Sequence, residues 1–212
     1  MKIIGLDTTT HCFCIALVEE DRVLTRIVVD DKGFHSEEFL SHLKRILKEN
    51  GLTKMEIDGY AISIGPGSLT GIRVGLAFLK GIGFATGKPV VPVETLFAIA
   101  YEFRGSIEYI CPILITRRNK VFCALYRFNN IEKESTQRKS PVKSVGAGFS
   151  LRKSRLDEGF KKDRVDTITE QSCLEIKKLL DRLPDKNILF LGSGALKWKG
   201  EIISKCGEKA HF

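Results

Sequence analysis

The chain has 212 residues, 43% of them hydrophobic and 28% charged, with a formal net charge of +8. This is an ordinary globular balance, and the length suits one large domain or two small ones with ample core. It excludes a helical membrane protein in the usual sense, because no window approaches ~18 uninterrupted apolar residues.

The chain opens with MKIIGLDTTT, a buried strand over 2–7 running into a polar turn, without the longer apolar core and cleavage site of an export signal. A cytoplasmic protein is therefore expected. CFCIALVEE and RVLTRIVVD follow, separated by a turn near Asp21, and read as an antiparallel meander. Cys12, Cys111 and Cys123 fall in strand-like runs, where a reduced cysteine acts as a small hydrophobe. Cys12 and Cys14 share one strand face. No CxxC pair or Cys/His cluster completes a tetrahedral site, so they read as core sulfurs and no metal is expected.

HSEEFLSHLKRILKEN, 35–50, places apolar residues at 39, 40, 43, 46 and 47, the spacing of a helix, with Ser36 as its cap, Glu38 in its first turn and Gly51 at its stop. His35 and His42 lie about two turns, ~10 Å, apart along that helix and cannot chelate one ion by themselves. DGYAISIG is a strand ending at the glycine loop GPGSLTG. That loop lacks the Gly-Lys-Ser/Thr ending of a phosphate-binding Walker loop, and its third glycine comes one residue late for a dinucleotide fingerprint. Gly65, Pro66 and Gly67 read as a tight turn, with Ser68 capping the next helix, although such a position also favours anions.

That helix, about 68–86, carries only Arg73 and Lys80 as charged side chains between Leu69 and Ala85, both on one narrow stripe. An apolar surface on every other side demands cover on every other side. Gly71, Gly75, Ala77, Gly81 and Gly83 suit the close approach of another backbone, and a second chain is the expected cover. KPVVPV and a short helix around 94–102 complete a first lobe, 1–102.

From residue 103 the scheme restarts as a smaller lobe, 103–212. EYICPILIT and KVFCALYRF read as strands joined by the turn RRNK, 117–120, and TEQSCLEIKKLLDRL, 169–183, as a helix capped by Thr169 or Ser172 with Pro184 beyond it. NILFLGSG is the final buried strand. The polar stretch 129–168 is assigned no regular structure. Within it, 132–164 holds ten Lys/Arg against five Asp/Glu, +5 of the net +8, a surface that either contacts a polyanion such as RNA, with Lys161, Lys162 and Arg164 among its cations, or stays a solvated loop. Strands that begin as a meander, alternate with helices and then repeat indicate an α/β protein of two related lobes.

IIGLDTTT, HSEEFLSHL and GPGSLTGIRVGLAFLKG together resemble the bacterial YeaZ/TsaB family, an inactive-looking relative of the tRNA threonylcarbamoyltransferase TsaD. The resemblance spans residues 1–102 strongly, continues through CPILITRRNKVFCALY and fades over 129–168. It implies an actin/Hsp70-like fold of two ribonuclease-H-like lobes, the second truncated. It also implies a non-catalytic role in making N6-threonylcarbamoyladenosine at position 37 of tRNAs that read ANN codons. The implied partners are TsaD and the ATPase TsaE, a second copy of the chain when alone, and tRNA through the complex. ATP and magnesium are implied for the complex, and no cofactor for the isolated chain.

Carried onto this sequence, Asp7, Thr8, Thr9 and Thr10, with Gly65, Gly67 and Ser68, occupy the place of a degenerate nucleotide pocket. Actin-like kinases usually have glycine in the first turn, where this chain has Thr9, whose side chain crowds a phosphate. The partner surface implied on the two helices comprises His35, Glu38, Phe39, His42, Gly71, Ile72, Gly75, Ala77, Phe78, Leu79 and Ile82. No catalytic residue is expected. The competing readings are an ATPase or phosphotransferase using Asp7 and the glycine loop, and a peptidase. Against the peptidase, neither the i, i+4 histidine pair of TsaD nor an evident nucleophile–base set is present.

Overall fold

The structure is a computed structural model that describes residues 1–30, 37–116, 120–129 and 165–212. Their contacts form two units that part after Thr95. The first contains β1 (Lys2–Asp7), β2 (Cys12–Glu19), β3 (Arg22–Asp30), α1 (Glu37–Glu49), β4 (Gly59–Ser63), α2 (Leu69–Thr86) and β5 (Val90–Val93). Its sheet runs β3-β2-β1-β4-β5. The expected meander is antiparallel, and β4 and β5 lie parallel to β1.

β1 and β2 read as near-continuous apolar runs because nearly every residue in them is buried. Ile4, Leu6, Phe13, Ile15 and Leu17 from the sheet meet Phe39, Leu43 and Ile46 of α1 and Leu79 of α2 in one core. Removing such a branched or aromatic side chain from water stabilises by roughly 1.5–3 kcal/mol. The core therefore dictates which face of each helix turns inward.

The second unit contains α3 (Thr95–Glu102), which joins it from Leu96 onward, β6 (Tyr109–Ile115), β7 (Lys120–Phe128), β8 (Val165–Glu175), α4 (Ile176–Leu180), β9 (Ile188–Leu191), α5 (Ser193–Lys197), α6 (Lys199–Cys206) and β10 (Ala210–His211). Its sheet order, β10-β9-β6-β7-β8, repeats the first scheme strand for strand. Three antiparallel strands are followed by two parallel ones. Two such mixed sheets are the ribonuclease-H-like lobes expected from sequence, the second built from shorter helices. The units divide after Thr95, whereas the sequence reading divides them after residue 102. The reason is that Leu96 and Ala100 of α3 join Ile110, Ala124 and Tyr126 in a core of the second unit.

One element differs outright. Residues 169–175, expected to open a helix, belong to strand β8, so Thr169 and Ser172 cap nothing. β7 is buried along most of its length and needs backbone partners on both edges. β6 supplies them on one edge and β8 on the other, from Phe128↔Val165 to Lys120↔Glu175. The β-branched run Val165, Thr167, Ile168 and Thr169 fits that role. Helical spacing governs only Ile176, Leu179 and Leu180, which α4 buries. Ser36, His35 and 117–119 of the RRNK turn lie outside the described residues, as does the 132–164 basic segment.

Candidate functional site

β1 delivers Asp7 to the corner before β2, and that carboxyl is buried with Thr8 and Thr9. Thr9 folds back on it: the Thr9 N–H donates to Asp7 Oδ1 at 2.7 Å and the Thr9 hydroxyl to the same oxygen at 2.8 Å. Burial pushes the Asp7 carboxyl above the usual carboxylate range, against the pull of the Thr9 backbone, the Thr9 hydroxyl and, least, Ser63. The Ser63 hydroxyl itself has no well-formed hydrogen bond. Both Thr9 bonds thus fall on one carboxylate oxygen, Oδ1.

The glycine loop closes over the same corner. Ser68 N donates to Thr9 O at 2.7 Å, and the Ser68 hydroxyl caps α2 by accepting from Gly71 N at 3.2 Å. The Thr8 hydroxyl donates to Gly71 O at 2.8 Å. Two glycines make this approach possible. A Cβ on Gly67 would stand 2.3 Å from Thr9 O, and one on Gly71 would stand 2.0 Å from Thr8 O. Gly65 O accepts from Thr95 N at 2.8 Å, and the Thr95 hydroxyl accepts from Gly65 N at 3.1 Å, which fixes the loop's other end. The loop is thus a turn and a cap. Two of the amides that could face an anion, those of Ser68 and Gly71, are bonded to the chain itself. Asp7, Thr8, Thr9, Gly65, Gly67 and Ser68 are brought together; exposed Thr10 instead bonds the Cys12 backbone.

The helix surface divides the expected partner residues. Gly71, Gly75, Leu79 and Gly83 recur every four residues on the buried face of α2. A Cβ on Gly75 would lie 2.6 Å from the Thr8 hydroxyl. These glycines serve contact with the chain's own sheet rather than with another backbone. Gly71, Gly75 and Leu79, with Phe39 of α1, are therefore buried in the chain's own interior and do not belong to the partner surface expected from sequence. Phe39 stacks between Phe13 and Phe78 at 5.1 and 5.3 Å.

His42 is half-buried, its ring 5.1 Å from Phe13. Glu38, Ile72, Phe78 and Ile82 are half-buried and Ala77 is exposed, while His35 lies outside the described residues. The sequence reading missed the large exposed apolar side chains of α2, Leu69 at 62% and Phe84 at 93% exposure; on α1, Leu40 is 43% exposed. Arg73 and Lys80 lie on this outward face too. The i, i+4 glycine spacing was the available signal, because it marks the inward face and so defines the opposite one.

By length and composition α2 would suffice to cross a membrane. Its inner stripe instead packs on the sheet, and its ends are held by Ser68 and by Gly87, whose φ of 69° suits a helix stop.

The family model that describes TsaD, the tRNA N6-adenosine threonylcarbamoyltransferase, matches residues 31–152. The chain is 28% identical over 130 residues to the tRNA threonylcarbamoyladenosine biosynthesis protein TsaB of Bacillus subtilis (strain 168), covering 61% of this chain and 57% of that protein. It is 26% identical over 197 residues to the TsaB of Haemophilus influenzae (strain ATCC 51907 / DSM 11121 / KW20 / Rd), covering 92% of this chain and 72% of that one. Among solved structures, YeaZ from Pseudomonas aeruginosa superposes with a TM-score of 0.70 at 19% identity, over 95% of this chain and 79% of that one. That likeness is one of fold.

Proposed function

Since this chain belongs to the TsaB/YeaZ family of TsaD-related proteins, we propose that it serves threonylcarbamoyladenosine synthesis on tRNA as a non-catalytic subunit that binds a TsaD-type transferase. One observation carries this reading: the outward face of α2, with Leu69, Ala77 and Phe84, is left uncovered by the described chain. Covering a side chain such as Phe84 or Leu69 stabilises a contact by roughly 1.5–3 kcal/mol. Arg73 and Lys80 on the same helix favour a partner with an acidic rim. In the absence of that partner a second copy of the chain takes its place. A TsaE-type ATPase and tRNA join through the assembled complex in the cytoplasm, and ATP and magnesium act there rather than in the isolated chain.

Asp7 supports the non-catalytic part of the reading, because Thr9 holds the carboxylate a phosphotransferase would need. Tight Mg-ATP binding and turnover by the isolated chain, lost in Asp7→Ala, would favour the ATPase alternative. For a peptidase, cleavage by rigorously pure protein must be abolished by one point change.

The test of the leading reading is Phe84→Glu and Ala77→Asp, mixed with the TsaD counterpart. Both positions are exposed, so the fold survives. Gly75→Asp is not diagnostic, because its side chain would strike Thr8. Complex formation and tRNA modification should each fall at least about tenfold, the consequence of losing ~1.4 kcal/mol of contact. Unchanged association in both variants would remove the α2 face from the proposal.

A further inference from the structure

We propose that His11, Cys12 and Asp30 form a binding site for one zinc-class divalent cation at the open end of the first meander. The sequence reading set Cys12 beside Cys14 as core sulfur and found no companion ligands. The strand register supplies them. Cys12 opens β2, Asp30 closes β3, and the two are direct antiparallel partners. Directly opposite residues project to the same side of a sheet. Cys12 Sγ lies 3.4 Å from Asp30 Oδ1, and His11 Nε2 lies 3.8 Å from that same oxygen. One donor atom from each of the three falls within 4.8 Å of the others.

Zinc bonds of 2.0–2.3 Å in a tetrahedron put neighbouring donor atoms roughly 3.3–3.6 Å apart. The observed spacings need only small rotations to reach that. His11 and Asp30 are free to make them, with side chains 76% and 73% exposed. The Cys12 side is already set. The Thr10 hydroxyl accepts from Cys12 N at 3.3 Å and donates to Cys12 O at 3.1 Å, which fixes the backbone that carries the sulfur.

A sulfur, an imidazole and a carboxylate together suit zinc rather than magnesium or calcium, which prefer oxygen alone. As the sulfur–metal bond forms, the Cys12 thiol gives its proton to solvent, so binding strengthens as pH rises. The open side leaves the fourth position to water. An ion here ties the end of β3 to the corner whose Thr8 and Thr9 lie on the first turn of α2.

The experiment is a titration of the full, reduced chain with Co²⁺ as spectroscopic probe and Zn²⁺ as competitor. One equivalent should bind with a thiolate-to-cobalt charge-transfer band, be displaced by Zn²⁺ and raise the thermal midpoint. His11→Ala and Asp30→Asn, both at the surface, should each weaken binding at least about tenfold. Cys12→Ser should abolish the band, and Cys173→Ser, at the exposed cysteine, should leave it intact. A band that survives Cys12→Ser, a band lost in Cys173→Ser, or affinity unchanged in both surface variants would overturn the site. If Cys12→Ser does not fold, the two surface variants decide.

Discussion

Asp7 sits where a charge is costly, buried at the end of β1 with Thr9 donating two hydrogen bonds to one oxygen. Desolvation outweighs those bonds and raises the carboxyl. The folded chain therefore holds this proton more tightly than the unfolded chain does. The group's contribution favours folding below the ordinary carboxylate range and is lost as pH rises through the raised value. In Asp7→Asn the amide oxygen can still accept both Thr9 bonds, and no charge is buried. The variant's unfolding free energy should thus gain on the wild type as pH rises from acid to neutral. Urea unfolding at a series of pH values checks this, and a difference that stays flat across the series contradicts it. The corner was legible as residues, since DTTT and the glycine loop stood out. That Thr9 would turn onto Asp7 was not legible, because hydroxyl direction is set by packing from Gly67 and Gly71 across the fold.

At the scale of elements, α2 separates two uses of glycine. Gly71 has no room for a methyl group, its Cβ position lying 2.0 Å from Thr8 O, whereas Gly81 faces open space. Gly71→Ala should destabilise by about 1–3 kcal/mol through overpacking. Gly81→Ala should stabilise by about 0.4–1 kcal/mol, because alanine loses less backbone entropy in a helix. Denaturant midpoints of the two variants test the assignment of faces, and similar shifts in both would refute it. Composition alone marked this helix as needing cover all round but could not say which side the sheet provides. β8 failed for a related reason. Ile176, Leu179, Leu180 and Leu183 satisfy a helical spacing, while Leu174 and Ile176, with the polar Ser172 two residues before, fit a strand's alternation. The unpaired edge of β7 decided between them, and a long-range edge is invisible in a local window.

At the scale of the molecule, the two-lobe repeat was legible because each lobe writes the same order of buried strands and amphipathic helices, which the matching sheet topologies bear out. Charge is the other whole-molecule property. Much of it on the described surface is paired locally, as in Arg45–Glu49, Arg127–Glu108, Lys205–Asp181 and Lys2–Glu19. Such pairs contribute little field at a distance. The net excess concentrates in 132–164, which carries +5 of the +8 and lies outside the described residues. If this segment meets tRNA inside the complex, each cation that neutralises a phosphate adds roughly 0.7–0.9 to the slope of log affinity against log salt. Replacing Lys161, Lys162 and Arg164 with glutamine should then lower the magnitude of that slope by about 2–3. The measurement is tRNA binding by the assembled complex across a salt series. A slope equal to wild type means these three charges face only water, and the polyanion contact must then come from the transferase.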